Sequence, residues 1–407
     1  MTTHRILALG SAGDGVAEGP LYIPGALPGE LVETGPAEGR RAVLRRVLEA
    51  SAERVPPPCP QAGRCGGCVL QHWSLSAQAE WKRARVEAAL RRAGHEVPVA
   101  LLHQSPPGSR RRADLAIRRR TDGSVVIGLH GPEGVVGIEG CRLLAPQLVA
   151  LIDPLADALR PITGLRRQGD AIINLLDSGP DLLLRLDAAL SLRDTERLIG
   201  FARAAGLARI SGPEGVIVEL AAVRHRLGAA EILPPPGAFL QATRQGEAAI
   251  QAAVLAALPE RLKRGPILDL FAGLGTLSFP LSSRAPVLAY EGAAEAAAAL
   301  DRAARAAGGR VRAACRDLAR QPLLPQELKT AAALVLDPPH AGAAAQIAQI
   351  ARARAPAHVI YVSCHPAALE RDARQLRAAG YRAVSAGVVD QFLWSAEVEA
   401  VVAFALA

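Results

Sequence analysis

PILDLFAGLGTLSFPLS, residues 266–282, opens on a short apolar run (Ile267 to Phe271), breaks at Gly273-Leu274-Gly275 and resumes as a helical pattern. Glycines let the backbone turn sharply and approach a ligand at the carboxyl end of a strand. Asp269 lies inside the run, and Glu291 closes the next apolar run, VLAYEG. An acid about 20 residues beyond such a turn is placed to take ribose hydroxyls. A Gly-x-Gly alone is common in turns; the flanking strand, helix and second acid give this one context. A dinucleotide needs a third glycine and a bare helix N-terminus for its pyrophosphate, but Thr276-Leu277-Ser278 follow here. S-adenosylmethionine carries no phosphate, needs only the turn and the acid, and fits this layout better.

Outward from the turn, Ala-rich helical stretches alternate with PILDLF, PVLAYE, AALVLD, HVIYVS and EAVVAFAL. That alternation predicts a Rossmann-like α/β domain on a parallel, doubly wound sheet over 236–407. Its strand ends carry chemistry. Asp337-Pro338-Pro339 holds an acid on a stiffened turn. Cys364 ends HVIYVSC, flanked by Ser363 and His365-Pro366. Most buried cysteines are small core residues, but a thiol at this polar strand end is a nucleophile candidate. Near the C-terminus, Glu397 and Glu399 fall on one face of an alternating strand. A carboxylate in an apolar strand is costly unless paired or functional, and a raised pKa suits a general base. One of the two is expected to face solvent.

Residues 1–52 read as several short strands between Gly and Pro turns, a five-stranded barrel. Val55-Pro56-Pro57-Pro58 breaks the chain before a central domain, 53–235, of mixed and mainly antiparallel character. Within it, 77–93 is a helix whose charged face (Lys82, Arg83, Arg85, Arg91, Arg92) is expected to be solvated. The three-domain division suits 407 residues. The net charge of +8 is the footprint of a nucleic-acid binder, though mild evidence alone. MTTHRILALGSAG has no secretory pattern and no stretch is long and apolar enough to span a membrane, so a cytoplasmic protein is expected. Six cysteines in such a chain bind metals or do catalysis rather than pair. Cys59, Cys65 and Cys68 stand in C-x5-C-x2-C spacing within CPQAGRCGGCVLQH, with Cys141 further on in IEGCRLL. Four thiolates suit tetrahedral zinc or a [4Fe–4S] cluster; the three-plus-one spacing leans toward the cluster. His72 is read as structural and Cys315 as core.

Together these residues resemble the RNA uridine C5-methyltransferase family nearly end to end. The N-terminal stretch with PGALPGE is similar to a TRAM domain, an RNA-binding barrel of OB type. CPQAGRCGGCVLQH resembles the family's cluster motif, which implies [4Fe–4S] on Cys59, Cys65, Cys68 and Cys141 and the branch acting on 23S rRNA. GAFLQAT, 237–243, resembles its Phe-x-Gln segment. The resemblance implies cofactor contacts at Gln241, Phe271, Gly273, Gly275, Thr276, Glu291, Asp317 and Asp337. YVSCHP and SAEVEAVVAF resemble its nucleophile and base motifs, implying Cys364 as nucleophile and Glu399, not Glu397, as base. The implied enzyme is a monomer that acts on RNA and not on DNA. Alternatives are 5-methyluridine formation in tRNA, a non-catalytic RNA-binding iron–sulfur protein and a cytosine C5-methyltransferase. The chain departs from the pattern at His340 (usually Arg), His365 (usually Asn), Ala272 and Thr276 (often Cys and Asn) and Glu397 (often His).

Overall fold

Thr2–Leu9, Gly15–Ala17, Leu21–Ile23, Leu31–Glu38 and Arg41–Glu49 close into a barrel in the computed structural model, which describes residues 2–407. Ile6, Ala17, Ile23, Ala26, Val32 and Ala42 fill it. Gly15 is required there, since a Cβ would sit 2.8 Å from the Ala26 carbonyl oxygen. The barrel is tied to the following segment by Arg54, whose guanidinium grips the buried Glu30 carboxylate at 2.5 and 2.7 Å.

The central sheet runs in the order Gly215–Glu219, Arg209–Gly212, Gly179–Leu186, Gln168–Leu176, Arg112–Arg119, Val125–Gly131, Gly134–Gly137. It is antiparallel except where Gly179–Leu186 meets Arg209–Gly212. Alternate residues (Leu115, Ile117; Ala171, Ile173; Leu182, Leu184) point to one face. The helices Pro146–Leu159 and Leu192–Ala204 cover it.

The third layer is an eight-stranded sheet ordered Val311–Cys315, Val287–Glu291, Ile267–Leu270, Ala333–Leu336, His358–Ser363, Glu399–Leu406, Tyr381–Asp390, Val99–Gln104. The first five strands are parallel. Glu399–Leu406 is antiparallel to both neighbours, so the wholly parallel sheet expected from the alternation is corrected at its C-terminal hairpin. Both faces are packed: Leu268, Leu334, Tyr361 and Val402 fill one, Ile267, Val335, Ile360 and Val401 the other. That is why these strands read as continuous apolar runs rather than alternating ones.

Two elements cross the boundary expected at 235/236. Val99–Gln104 adds the last strand to this sheet, parallel to Tyr381–Asp390. The helix Leu75–Arg92, capped by the Ser74 hydroxyl, packs Val86 and Leu90 into the same core. Its charged face is not uniformly solvated, because Lys82 is fully buried. Leu334, fully buried on a central strand, makes the sheet's packing testable. Leu334→Ala should cost about 2–5 kcal/mol in urea unfolding; a loss under about 1 kcal/mol would contradict a close-packed interior there.

Candidate active site

At the carboxyl ends of the parallel strands lies a cavity of about 770 Å³. Its floor is the turn after Ile267–Leu270. Phe271 takes a left-handed backbone (φ 62°), an uncommon conformation for a residue with a side chain, and Gly273 follows at φ 55°. A Cβ on Gly273 would meet nothing within 4 Å, so the backbone is bare toward the cavity. Gly275 does not line it; a Cβ there would lie 2.5 Å from Leu300 Cδ1, so this glycine serves helix packing. Glu291 is fixed by backbone donors, Gly273 N–H at 2.8 Å and Ala293 N–H at 2.7 Å. Phe271, Gly273, Thr276, Glu291 and Asp317 all reach the wall. So does Asp269, which the sequence reading placed only in the strand. It is buried, accepts from Ser278 Oγ at 2.5 Å, and burial pushes its carboxyl up to about 7, reinforced by the Asp337 and Glu291 charges.

The other end of the cavity gathers Gln241, Asp337, Cys364 and Glu399. One hydrogen-bond chain connects three of them through a residue that no motif singled out. Gln241 Nε2 donates to Asp337 Oδ2 at 3.3 Å. Gln391 Nε2 donates to Gln241 Oε1 at 2.7 Å and to Glu399 Oε2 at 3.1 Å. Gln391 Oε1 accepts from Ala242 N–H at 3.0 Å, so its amide orientation is determined. Glu399 Oε1 is buried without a hydrogen-bond partner among the described residues. Burial and the Asp337 charge hold the Glu399 carboxyl well above the ordinary range. Burial, then Glu399, Asp337 and Glu397, push the Cys364 thiol up to about 12. A thiol, a buried carboxyl with one oxygen free of partners among the described residues, and a bare backbone turn thus share one enclosure.

Glu397 and Glu399 are not on one strand face, as the alternation implied. The strand begins at Glu399; Glu397 lies in the preceding loop and is exposed.

Two relatives bear on what this enclosure does. An RNA methyltransferase of Mesorhizobium japonicum, itself uncharacterised, is 40% identical over 399 residues, covering 97% of this chain and 95% of that protein. The 23S rRNA (uracil(1939)-C(5))-methyltransferase of Shewanella amazonensis is 34% identical over 408 residues, covering 95% and 92%. This chain belongs to the RNA uracil-C5-methyltransferase family. No protein-family model matches it. The fold of the Pyrococcus abyssi tRNA (uracil-54, C5)-methyltransferase, solved with S-adenosyl-L-homocysteine, matches at TM-score 0.77 and 21% identity over 99% of this chain and 100% of that one.

The methyltransferase carries a second cavity, of about 330 Å³, walled by Cys59, Cys65, Cys68 and Cys141. All four are free thiols. Burial and the neighbouring thiols push Cys68 up to about 11. Among the described residues no three His, Cys, Asp or Glu side chains close on a single ion position. Arg110 and Phe392 border both cavities, and Leu393, Ser395 and Glu397 line the thiol side. His72 is buried and is not one of the thiol cavity's lining residues; burial lowers its pKa to about 4. Cys315 is exposed at a strand end, which corrects its reading as core. His340, which lines the cavity, stacks face to face on His365, ring centres 3.9 Å apart and 21° from parallel.

The raised Cys364 thiol has a measurable consequence. Below its pKa the thiolate fraction grows about tenfold per pH unit. In the free enzyme, iodoacetamide labelling of Cys364, followed by peptide mass spectrometry, should therefore still be climbing between about pH 8 and pH 10. A plateau by pH 8 would contradict a thiol held protonated by burial and carboxylates.

Proposed function

We propose that this enzyme transfers the methyl group of S-adenosylmethionine to carbon 5 of a uridine in 23S ribosomal RNA, through a covalent bond between Cys364 and carbon 6. The observation that carries this reading is the joint placement of the Cys364 thiol and the partner-free Glu399 oxygen on one carboxylate-lined wall. Carbon 5 of uracil is a poor nucleophile. Cys364 gives up its proton to solvent and adds as the thiolate to carbon 6, which turns the ring into an enolate and makes carbon 5 nucleophilic. That carbon takes the methyl group from the sulfonium. Glu399 then removes the carbon 5 proton, and the reformed double bond expels Cys364 as thiolate. Covalent catalysis divides one hard step into easier ones.

Glu291, anchored by two backbone N–H groups, suits the ribose hydroxyls, with Asp317 at the rim. Asp337, held by Gln241, lies between cofactor turn and nucleophile. A cavity rich in carboxyl groups favours a sulfonium cation over a neutral thioether. The barrel exposes Arg40, Arg41, Arg45 and Arg46, which supports a TRAM-like role in holding RNA phosphates. A uridine in folded RNA must be unstacked to reach this depth. Ribosomal RNA is favoured over tRNA by the 34% identity to an enzyme named for 23S rRNA, against 21% to the archaeal tRNA enzyme.

Cys59, Cys65, Cys68 and Cys141 are read as ligands of a [4Fe–4S] cluster. What supports this reading is that the four thiols, set apart in the sequence as three plus one, share the walls of one cavity. Bound there, the cluster would supply a covalent tie between the segment 59–68 and Cys141 beside the central sheet.

Two measurements test these readings. Glu399→Gln, incubated with S-adenosylmethionine and unmodified 23S rRNA, should accumulate a protein–RNA adduct that survives a denaturing gel, and Cys364→Ala should form none and lose turnover. Turnover by Cys364→Ala, or no adduct from Glu399→Gln, would overturn the assignment. Protein purified without oxygen should be brown and carry about four irons; colourless, zinc-loaded protein would overturn the cluster.

A further inference from the structure

Lys82 sits in the middle of a helix whose charged face the sequence marks as solvated, yet its side chain has no exposure at all. Its ammonium donates to Asp390 Oδ1 at 2.6 Å and to the Phe392 carbonyl at 2.9 Å. Asp390 is equally buried, and its second oxygen accepts from Gln104 Nε2 at 3.2 Å. Burying two charges together usually returns little net stability, because desolvation offsets their attraction. What such a pair does well is fix a unique geometry.

The geometry it fixes is specific. Gln391 lies between the two groups that Lys82 holds, and Gln391 is the residue that bonds both Gln241 and Glu399. One turn along the same helix, Arg85 donates to the Ala396 carbonyl. One turn back, Gln78 donates to the Leu70 and Trp73 carbonyls at 3.0 and 2.7 Å. The Val69 and Leu70 N–H groups in turn both donate to the Trp394 carbonyl at 2.9 Å. Positions 78, 82 and 85 fall on one helical face. They hold the loop 391–398 at its start, middle and end. Trp394 within it takes a left-handed backbone at φ 59°, a conformation that its surroundings must enforce.

We infer that Lys82 is a positioning residue for methyl transfer: by clamping Asp390 and Phe392 it sets Gln391, and through Gln391 the direction in which the Glu399 carboxyl faces the substrate. This rests on the reading of Glu399 as the base. Lys82 touches neither substrate nor cofactor; it acts through the loop. Its loss should therefore impair the step that Glu399 performs and leave the earlier steps in place.

The test compares wild type, Glu399→Gln, and a double variant Lys82→Met with Asp390→Asn, which removes both buried charges and so avoids an uncompensated one. Arg85→Met, at the other end of the loop, serves as a second probe should the double variant fold poorly. Each is assayed for thermal melting, S-adenosylmethionine affinity, kcat and denaturant-resistant RNA adduct. The expected result is a kcat about 100-fold down, the lower end of what a general base contributes. Cofactor affinity should stay within about twofold, and adduct should accumulate as in Glu399→Gln. A merely structural residue would lower melting temperature and cofactor affinity together and leave no adduct. That outcome in the double variant, or in Arg85→Met where the double variant does not fold, overturns the proposal, as does wild-type turnover. Absence of adduct in Glu399→Gln itself removes the base reading, and this proposal with it.

Discussion

The arrangement turns on one amide. Gln391 uses both hydrogens and its oxygen to join Gln241, Glu399 and the Ala242 backbone, and it is buried while doing so. Through it the segment before the helix Arg244–Ala257 and the strand Glu399–Leu406 become one rigid wall. An unmet buried hydrogen-bonding group costs about 1–3 kcal/mol, so each partner constrains the others. Asp337 joins this wall through Gln241. The Asp337 turn, the Gln241 segment and the proposed base are thereby held in register although they come from distant parts of the chain.

The electrostatics divide by location. The chain carries a net charge of +8, yet Asp269, Asp337, Glu291 and Glu399 concentrate acid inside the cavity. An acidic interior favours a sulfonium and disfavours a thiolate; burial first, and these carboxylates after it, push the Cys364 thiol up. A protonated thiol is also less open to oxidation. The basic exterior suits polyanionic RNA. The loop 391–398 stands between the two cavities, facing the cofactor side through Phe392 and the four thiols through Leu393 and Ser395. Whatever fills the thiol cavity therefore bears on the loop that precedes Glu399.

The parts legible in the sequence are those set by local chemistry. The glycine turn, the acid closing the next strand, the proline-stiffened Asp337 and the cysteine spacing are short-range patterns, and the structure brings those residues to two adjoining cavities. What was not legible depends on distant partners. Lys82 looks like any charged helix residue until Asp390, 308 positions away, is packed against it. Gln391 belongs to no pattern, since its importance comes from three groups that only the fold assembles. Glu397 and Glu399 share an alternation in sequence, but the strand starts at Glu399 and the loop turns Glu397 outward. Gly275 reads like a ligand glycine and is instead demanded by Leu300 and Phe279. Cys315 ends a strand on the sheet's outer edge, where apolar neighbours in sequence did not become a cover.

The central claim is the reaction itself. Incubating the wild-type enzyme with S-adenosylmethionine labelled in its methyl group and with unmodified 23S rRNA, then digesting the RNA to nucleosides and separating them, reads it directly. The account predicts label in 5-methyluridine and in no other nucleoside. Label in a different nucleoside, or none from protein that binds the cofactor, would contradict it.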